Sequence, residues 1–157
     1  MSFSLLVWPG FCPAERHFGS LHVDLVGPLP PSEGCRYLFT MLDRLSCWPE
    51  AVPLVDATAT TCCRAFIRSW ISRFGILDEV ITDRDAQFTG QQWREMMENL
   101  GISHTTTTAF HPQSNGLVER MHRQMKGALK VRLDNDPEWM DQLAWVCLLY
   151  TSPSPRD

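Results

Sequence analysis

Three acidic residues of this chain are of a type and spacing that could support metal-dependent chemistry. Asp24 lies in LHVDLVGPLP, Asp83 in EVITDRDAQFT and Glu119 in HPQSNGLVER, with 35 residues between the last two. Three carboxylates gathered from separate elements can hold two divalent cations. Two such cations about 4 Å apart can activate an attacking oxygen and stabilise a leaving one in phosphodiester chemistry. Hard carboxylate oxygens suit Mg2+ or Mn2+, and Mg2+ keeps coordination positions open for water and phosphate.

Each acid also has a plainer explanation. Asp24 interrupts an apolar strand, and a carboxylate there is costly to bury unless paired or metal-bound; an arginine partner would serve as well as an ion. Asp83 follows a strand, where aspartate also favours turns. Asp85, two residues on, competes for any role given to Asp83. Asp83 is preferred because it directly follows the apolar run. Glu119 could form an ordinary i,i+4 pair with Arg123. At about 100° per residue, however, Glu119, Arg123, Lys126 and Lys130 fall within one narrow helical arc. Residues 117–132 hold five Lys/Arg against one acid. That row would bind nucleic-acid backbone, with salt-sensitive and largely sequence-independent affinity. Val118, Met121, Met125 and Leu129 form the apolar stripe of the same helix.

The elements that must position these residues follow from periodicity. Residues 21–26 read as a central strand, apolar on both faces and ended by Gly27-Pro28. Residues 36–42 and 48–54 are two further strands of an antiparallel meander, with Pro49 and Pro53 marking the latter as an edge or irregular. Residues 58–74 are a helix, with Cys63, Phe66, Ile67, Trp70, Ile71 and Phe74 inside and Gly75 as its stop. Residues 77–82 are a fourth strand that delivers Asp83. A capping box at Thr89–Gln92 starts a helix with Trp93, Met96, Met97 and Leu100 inside and Gly101 at its close. Residues 102–106 are a fifth strand, and 107–115 a mobile loop. A long helix starts near Gln113 or Gly116 and runs to Leu133, and Asp136-Pro137 caps a last helix. This order predicts an α/β layered domain with a mixed sheet.

At 157 residues the chain suits one domain. Apolar content of 44% and charged content of 20% are those of a globular protein. No apolar run reaches the roughly 18 residues of a membrane span, so no membrane partner is expected. The net charge of −4 disfavours nucleic-acid binding in bulk, and the local basic row answers it. The six cysteines read as reduced core residues of an intracellular protein, and no zinc-ligand spacing is present. His104 could lie near the carboxylates or serve structure; His111 and Asn115 could touch DNA or shape the loop.

The blocks HVDLVGPLPPSEG, YLFTMLDRLSCWPEAVPL, ITDRDAQFT and TTTTAFHPQSNGLVERMHRQMKGALK together resemble the catalytic core of retroviral-type integrases, most nearly those of gypsy-type LTR retrotransposon polyproteins. The resemblance runs from about Phe18 to about Val146, and the D,D-35-E spacing coincides with its flanking blocks. It implies a ribonuclease-H-like fold, a five-stranded mixed sheet flanked by helices. It also implies a polynucleotidyl transferase that trims the 3′ ends of element DNA and joins the freed hydroxyls to target DNA. By the same resemblance Asp24 and Asp83 share one metal and Asp24 and Glu119 hold the other. Gln113, Ser114 and Asn115 belong to the loop by the site, and Lys126 and Lys130 match basic positions that meet DNA. A homo-oligomer follows, with DNA rather than a small molecule as substrate, and a nuclear location when the substrate is chromosomal DNA.

The sequence also departs from the family. Asp85 stands where many relatives have glycine. The N-terminal zinc module and C-terminal DNA-binding domain of full-length integrases are not in these residues, and residues 1–17 and 151–157 resemble nothing in the family. The expectation is an N-terminal extension over 1–17, a core-like domain over 18–150 and a disordered, foreign tail over 151–157, as in a truncated or chimeric chain. Two other functions stay open: a non-catalytic nucleic-acid-binding or assembly remnant, and a ribonuclease-H-type nuclease. The latter usually needs a fourth acid, for which Asp43 and Asp85 are the candidates.

Overall fold

The computed structural model describes residues 3–4, 19–46, 48–107, 116–133 and 136–143; the side chains at 3–4, 116–122 and 125 lie outside that description. Among the described residues the strands are β1 (Phe3–Ser4), β2 (Ser20–Val26), β3 (Tyr37–Asp43), β4 (Pro49–Leu54), β5 (Glu79–Thr82) and β6 (Ser103–Thr106). The helices are α1 (Ala59–Phe66), continued by a π turn (Ile67–Ile71) into α2 (Ser72–Phe74), then α3 (Ala86–Thr89), α4 (Gln91–Leu100) and α5 (Gly116–Leu133). All five predicted strands are present, and the two-residue β1 adds an edge to the sheet.

The sheet order is β1-β4-β3-β2-β5-β6. β2, β3 and β4 form the predicted antiparallel meander, whereas β5 and β6 run parallel to β2. β2 is therefore the switch point, antiparallel on one side and parallel on the other. In open α/β sheets such a point, at the carboxyl ends of parallel strands, opens a crevice for ligands.

Side-chain alternation decides what each face of β2 sees. Leu21, Val23 and Leu25 enter one core with Phe39, Met41, Phe66, Trp70, Trp93 and Met97, beneath α1 and α4. Val26, on the opposite parity, enters a second core with Leu38, Ala51, Leu129, Leu133, Trp139 and Leu143. Asp24 shares the parity of Val26, so the strand's period directs it to the face covered by α5. Leu129 and Leu133, one turn apart on α5, are fully buried there. Residues 139–143 are helical. They are capped as predicted by Asp136, whose Oδ1 accepts the Glu138 N–H at 2.9 Å. Trp139 anchors this segment, donating from Nε1 to Pro30 O at 2.6 Å.

Three local expectations are corrected. Thr89 is not the cap of α4: it closes α3, its hydroxyl donates to Asp85 O at 3.2 Å, and Gly90 takes the cap position without a side-chain bond. Ile67 is not a core residue but 44% exposed; the π turn that begins there changes the helical phase while keeping Phe66 and Trp70 inside. Asp43 does not join the other acids. It closes the β3–β4 turn, with Oδ2 accepting the Ser46 N–H at 2.7 Å and the Ser46 hydroxyl at 2.6 Å.

Gly27 ends β2 for a steric reason. Its φ is +143°, and a Cβ there would stand 2.5 Å from Tyr37 Cδ1 and 2.9 Å from Arg36 O. Only glycine fits that conformation and that space. Gly101 closes α4 in the left-handed conformation, as predicted, with its N–H directed back to Glu98 O and Met97 O.

Candidate metal and nucleic-acid site

Register brings the two aspartates together. β2 and β5 pair in parallel with Ser20 opposite Glu79, Leu21 opposite Val80 and His22 opposite Ile81. The same offset, carried two residues past the last pair, sets Asp24 level with Asp83. Both positions are then on one face, beneath α5. Asp85 joins them, so that carboxylate oxygens of Asp24, Asp83 and Asp85 all lie within 4.8 Å of one another. Asp24 is buried, Asp83 half-buried and Asp85 exposed, which grades the cluster from the sheet outwards.

The hydrogen bonds hold these groups in place. Asp24 Oδ1 accepts its neighbour's backbone N–H, from Leu25, at 2.7 Å. Asp83 Oδ1 accepts the Asp85 N–H at 3.1 Å. The turn role of Asp83, one of the alternatives in the sequence, is thus realised, and the same carboxylate lies beside Asp24 and Asp85. Behind Asp83, the Thr82 hydroxyl lies 2.8 Å from His104 Nε2 and donates to Asp83 O at 2.9 Å. The residue that follows β6 clips the same point, because the Thr107 N–H donates to Thr82 O at 2.8 Å. His104 therefore lies behind Asp83, bonded to Thr82 and with its ring edge-on to Trp93. Burial, helped by the nearby Arg94 charge, holds the His104 imidazole below its ordinary pKa, which favours the neutral form.

Charge is concentrated here. Burial pushes the Asp83 carboxyl up from its ordinary value; the Asp85 N–H opposes this and the Asp24 charge adds to it. Asp85 is raised too, by burial first and then by the Asp83 charge. Like charges this close disfavour full ionisation unless a cation joins them. One cation is already present: Lys126 Nζ on α5 stands 2.8 Å from both Asp24 Oδ1 and Asp24 Oδ2. The donor set, three hard carboxylates mutually within reach and short of positive charge, fits Mg2+ or Mn2+.

The predicted basic arc divides. Arg123 and Lys130 are exposed on α5, as expected of a nucleic-acid-binding face, whereas Lys126 is turned onto the sheet. Glu119 is in the backbone of α5, seven residues before Lys126, and that spacing returns to nearly the same face of a helix. Its side chain lies outside the described residues, as do Gln113, Ser114, Asn115, His111, Cys47, Cys147 and Trp145. The Asp24–Lys126 pair is not among the expectations from sequence, although the arc contains its signal: any face that carries position 119 towards Asp24 must carry position 126 as well.

A sequence profile of the integrase core domain matches residues 14–112, a span that holds Asp24, Asp83 and Asp85. The chain belongs to the integrase core domain family. Among curated proteins, this integrase core is 32% identical over 123 residues to the retrovirus-related Pol polyprotein from transposon 412 of Drosophila melanogaster, covering 78% of this chain and 10% of that protein. It is 30% identical over 142 residues to the transposon Tf2-3 polyprotein of Schizosaccharomyces pombe, covering 89% of this chain and 11% of that protein. The chain thus spans about a tenth of these relatives. Among solved structures, the catalytic core domain of BIV integrase superposes with a TM-score of 0.58 at 21% identity, covering 85% of this chain and 81% of that one. A simian T-cell lymphotropic virus intasome, in complex with PP2A regulatory subunit B56 gamma, gives 0.62 at 20% identity, covering all of this chain and 61% of the matched chain. The fold of this integrase core is accordingly the ribonuclease-H-like one.

Proposed function

We propose that this integrase core is a polynucleotidyl transferase acting on DNA, of the gypsy type, which trims the 3′ ends of element DNA and joins them to target DNA. The observation that carries the reading is the convergence of Asp24 and Asp83, from strands 59 residues apart in pairing offset, into one carboxylate cluster under a basic helix. Asp24, Asp83 and Glu119 would hold two divalent ions, which supply activation of the attacking oxygen and stabilisation of the leaving one.

The chain's own groups supply the rest. Arg123, Lys126 and Lys130 would neutralise DNA phosphates, and Gln113, Ser114 and Asn115 would border the DNA end. In trimming, water attacks phosphorus and the 3′-oxygen leaves as a new hydroxyl. In joining, that hydroxyl attacks a target phosphorus and loses its proton, while the displaced target 3′-oxygen gains one. Joining two ends in one event calls for more than one copy, so a homo-oligomer belongs to the reading, as does a nuclear site of action on chromosomal DNA.

The test is Mn2+-dependent strand joining, or its reversal on branched DNA, by the wild-type chain and by Glu119→Gln. The wild type should react, and the variant should lose activity while keeping its circular-dichroism spectrum and melting temperature. Full activity in Glu119→Gln would remove Glu119 from the reading.

One observation favours a second reading, ribonuclease-H-type hydrolysis. Asp85 enters the cluster and, with Glu119, would raise the acids to four. Cleavage of an RNA–DNA hybrid, lost in Asp85→Asn, would support it.

A further inference from the structure

We propose that Lys126 is a built-in counter-cation for Asp24, which a divalent ion must displace, so that metal entry releases the Lys126 ammonium towards nucleic-acid phosphate. This rests on the reading of Asp24 as a metal ligand. The ammonium stands 2.8 Å from both carboxylate oxygens, and the Asp24 side chain is only 12% exposed. Oδ1 already accepts the Leu25 N–H as well. A carboxylate offers about four lone-pair sites, and Lys126 and Leu25 together engage three of them.

A dication on the same oxygens would need the positions the ammonium covers. It would also repel that ammonium at close range, where a partly buried site screens charge poorly. Departure is sterically open, because the Lys126 side chain is 36% exposed and its flexible four-carbon stem can swing. On leaving Asp24 it rejoins the arc of Arg123 and Lys130, both exposed on α5. Metal and polyanion would then be coupled through one side chain: the ion takes the carboxylate, and the phosphate takes the cation. Such coupling is reciprocal, so phosphate that draws Lys126 away would tighten metal binding.

The experiment is Mn2+ calorimetry on the whole chain for wild type, Lys126→Met, Lys126→Arg and Asp24→Asn, without DNA. Lys126→Met should bind Mn2+ roughly five- to tenfold more tightly than wild type, the low end of coupling between sites. Lys126→Arg, which keeps the charge, should stay near wild type, and Asp24→Asn should lose the binding. If Mn2+ binds wild type and needs Asp24 but Lys126→Met binds no more tightly, the counter-cation role is overturned while the metal site stands. If Mn2+ binds neither wild type nor Lys126→Met, the metal site fails and the inference with it.

A measurement on the unaltered protein guards against a misfolded variant. Under Mg2+ titration the Lys126 ammonium resonance, assigned by its absence in Lys126→Arg, should move to that of a solvated lysine; an unmoved resonance at saturating Mg2+ would overturn the proposal. With short duplex DNA at fixed Mg2+, where competition by free Mg2+ for phosphate is common to both proteins, the salt dependence of wild-type binding should be steeper than that of Lys126→Met by about one unit of slope, as neutralising one more phosphate requires. Equal slopes for the two proteins in Mg2+ would overturn the release to phosphate.

Discussion

Lys126 and Asp24, 102 residues apart in sequence, meet with the ammonium 2.8 Å from each oxygen of the carboxylate. The ion pair links α5 to the central strand β2. Leu129 and Leu133 continue the same helix into the core beside it, so the pair stands at the edge of a dry surface. One helix thereby joins a fold-building stripe to a charge-bearing edge over the switch-point strand.

The carboxylate cluster predicts a metal-linked pH dependence. Asp83 and Asp85 have folded pKa values raised above the ordinary carboxylate range. Between the unfolded and folded values the native state holds more protons, so without metal these groups make the protein less stable as pH rises through that window. Divalent ions bind the ionised forms. The rise in melting temperature on adding Mg2+ should therefore be largest near neutral pH and shrink on acidification, beginning above the ordinary aspartate range. Differential scanning calorimetry with and without Mg2+ at several pH values measures it.

Thr82 is predicted to position Asp83 rather than to react. Thr82→Val removes a hydroxyl lying 2.8 Å from His104 Nε2 and bonded to Asp83 O. The loss of a buried partner should cost about 1–3 kcal/mol. Denaturant unfolding gives that figure. If Asp83 is a metal ligand, Mn2+ affinity and activity on branched DNA should fall together as Asp83 loses its positioning.

Gly27→Ala should destabilise the end of β2. The added Cβ would meet Tyr37 and the Arg36 carbonyl at a φ of +143°, and strain of this kind costs about 1–3 kcal/mol. The variant should unfold at lower urea concentration with an unchanged denaturant slope.

Trp139→Ala tests whether residues 136–143 brace α5. Trp139 is fully buried against Leu38, Leu129 and Leu133 and bonded to Pro30 O. Removing a buried tryptophan costs about 3–5 kcal/mol. Thermal unfolding should show a loss of that order, and weaker Mn2+ binding should accompany it if α5 shifts over Asp24.

Much of this arrangement can be read before folding. An apolar run with one acid in it marks β2 as central, and its period of two already separates Asp24 from Leu21, Val23 and Leu25. Asp136 and Gly101 begin or end helices as their local chemistry dictates. The parallel register that sets Asp24 level with Asp83 is not legible, because it depends on packing between strands with α1 and α2 between them in sequence. Thr89 shows the limit of local motifs: its hydroxyl is of a type that could cap α4, yet α3 takes it. Lys126 shows another. Its place on the arc follows from helical periodicity, but the tilt of α5 that turns one lysine inward and leaves Arg123 and Lys130 outside is decided by Leu129 and Leu133 against the sheet. Asp85 enters the cluster through the Asx turn on Asp83, a geometry that ITDRDAQFT permits without requiring.

Whether Asp24, Asp83 and Glu119 form one divalent-metal site can be decided by Mn2+ soaked into crystals of this chain and located by anomalous scattering. Anomalous density held by Asp24 and Asp83 is expected, with Glu119 drawn to it and Lys126 off the Asp24 carboxylate. Saturating Mn2+ with no density between Asp24 and Asp83 would refute the site.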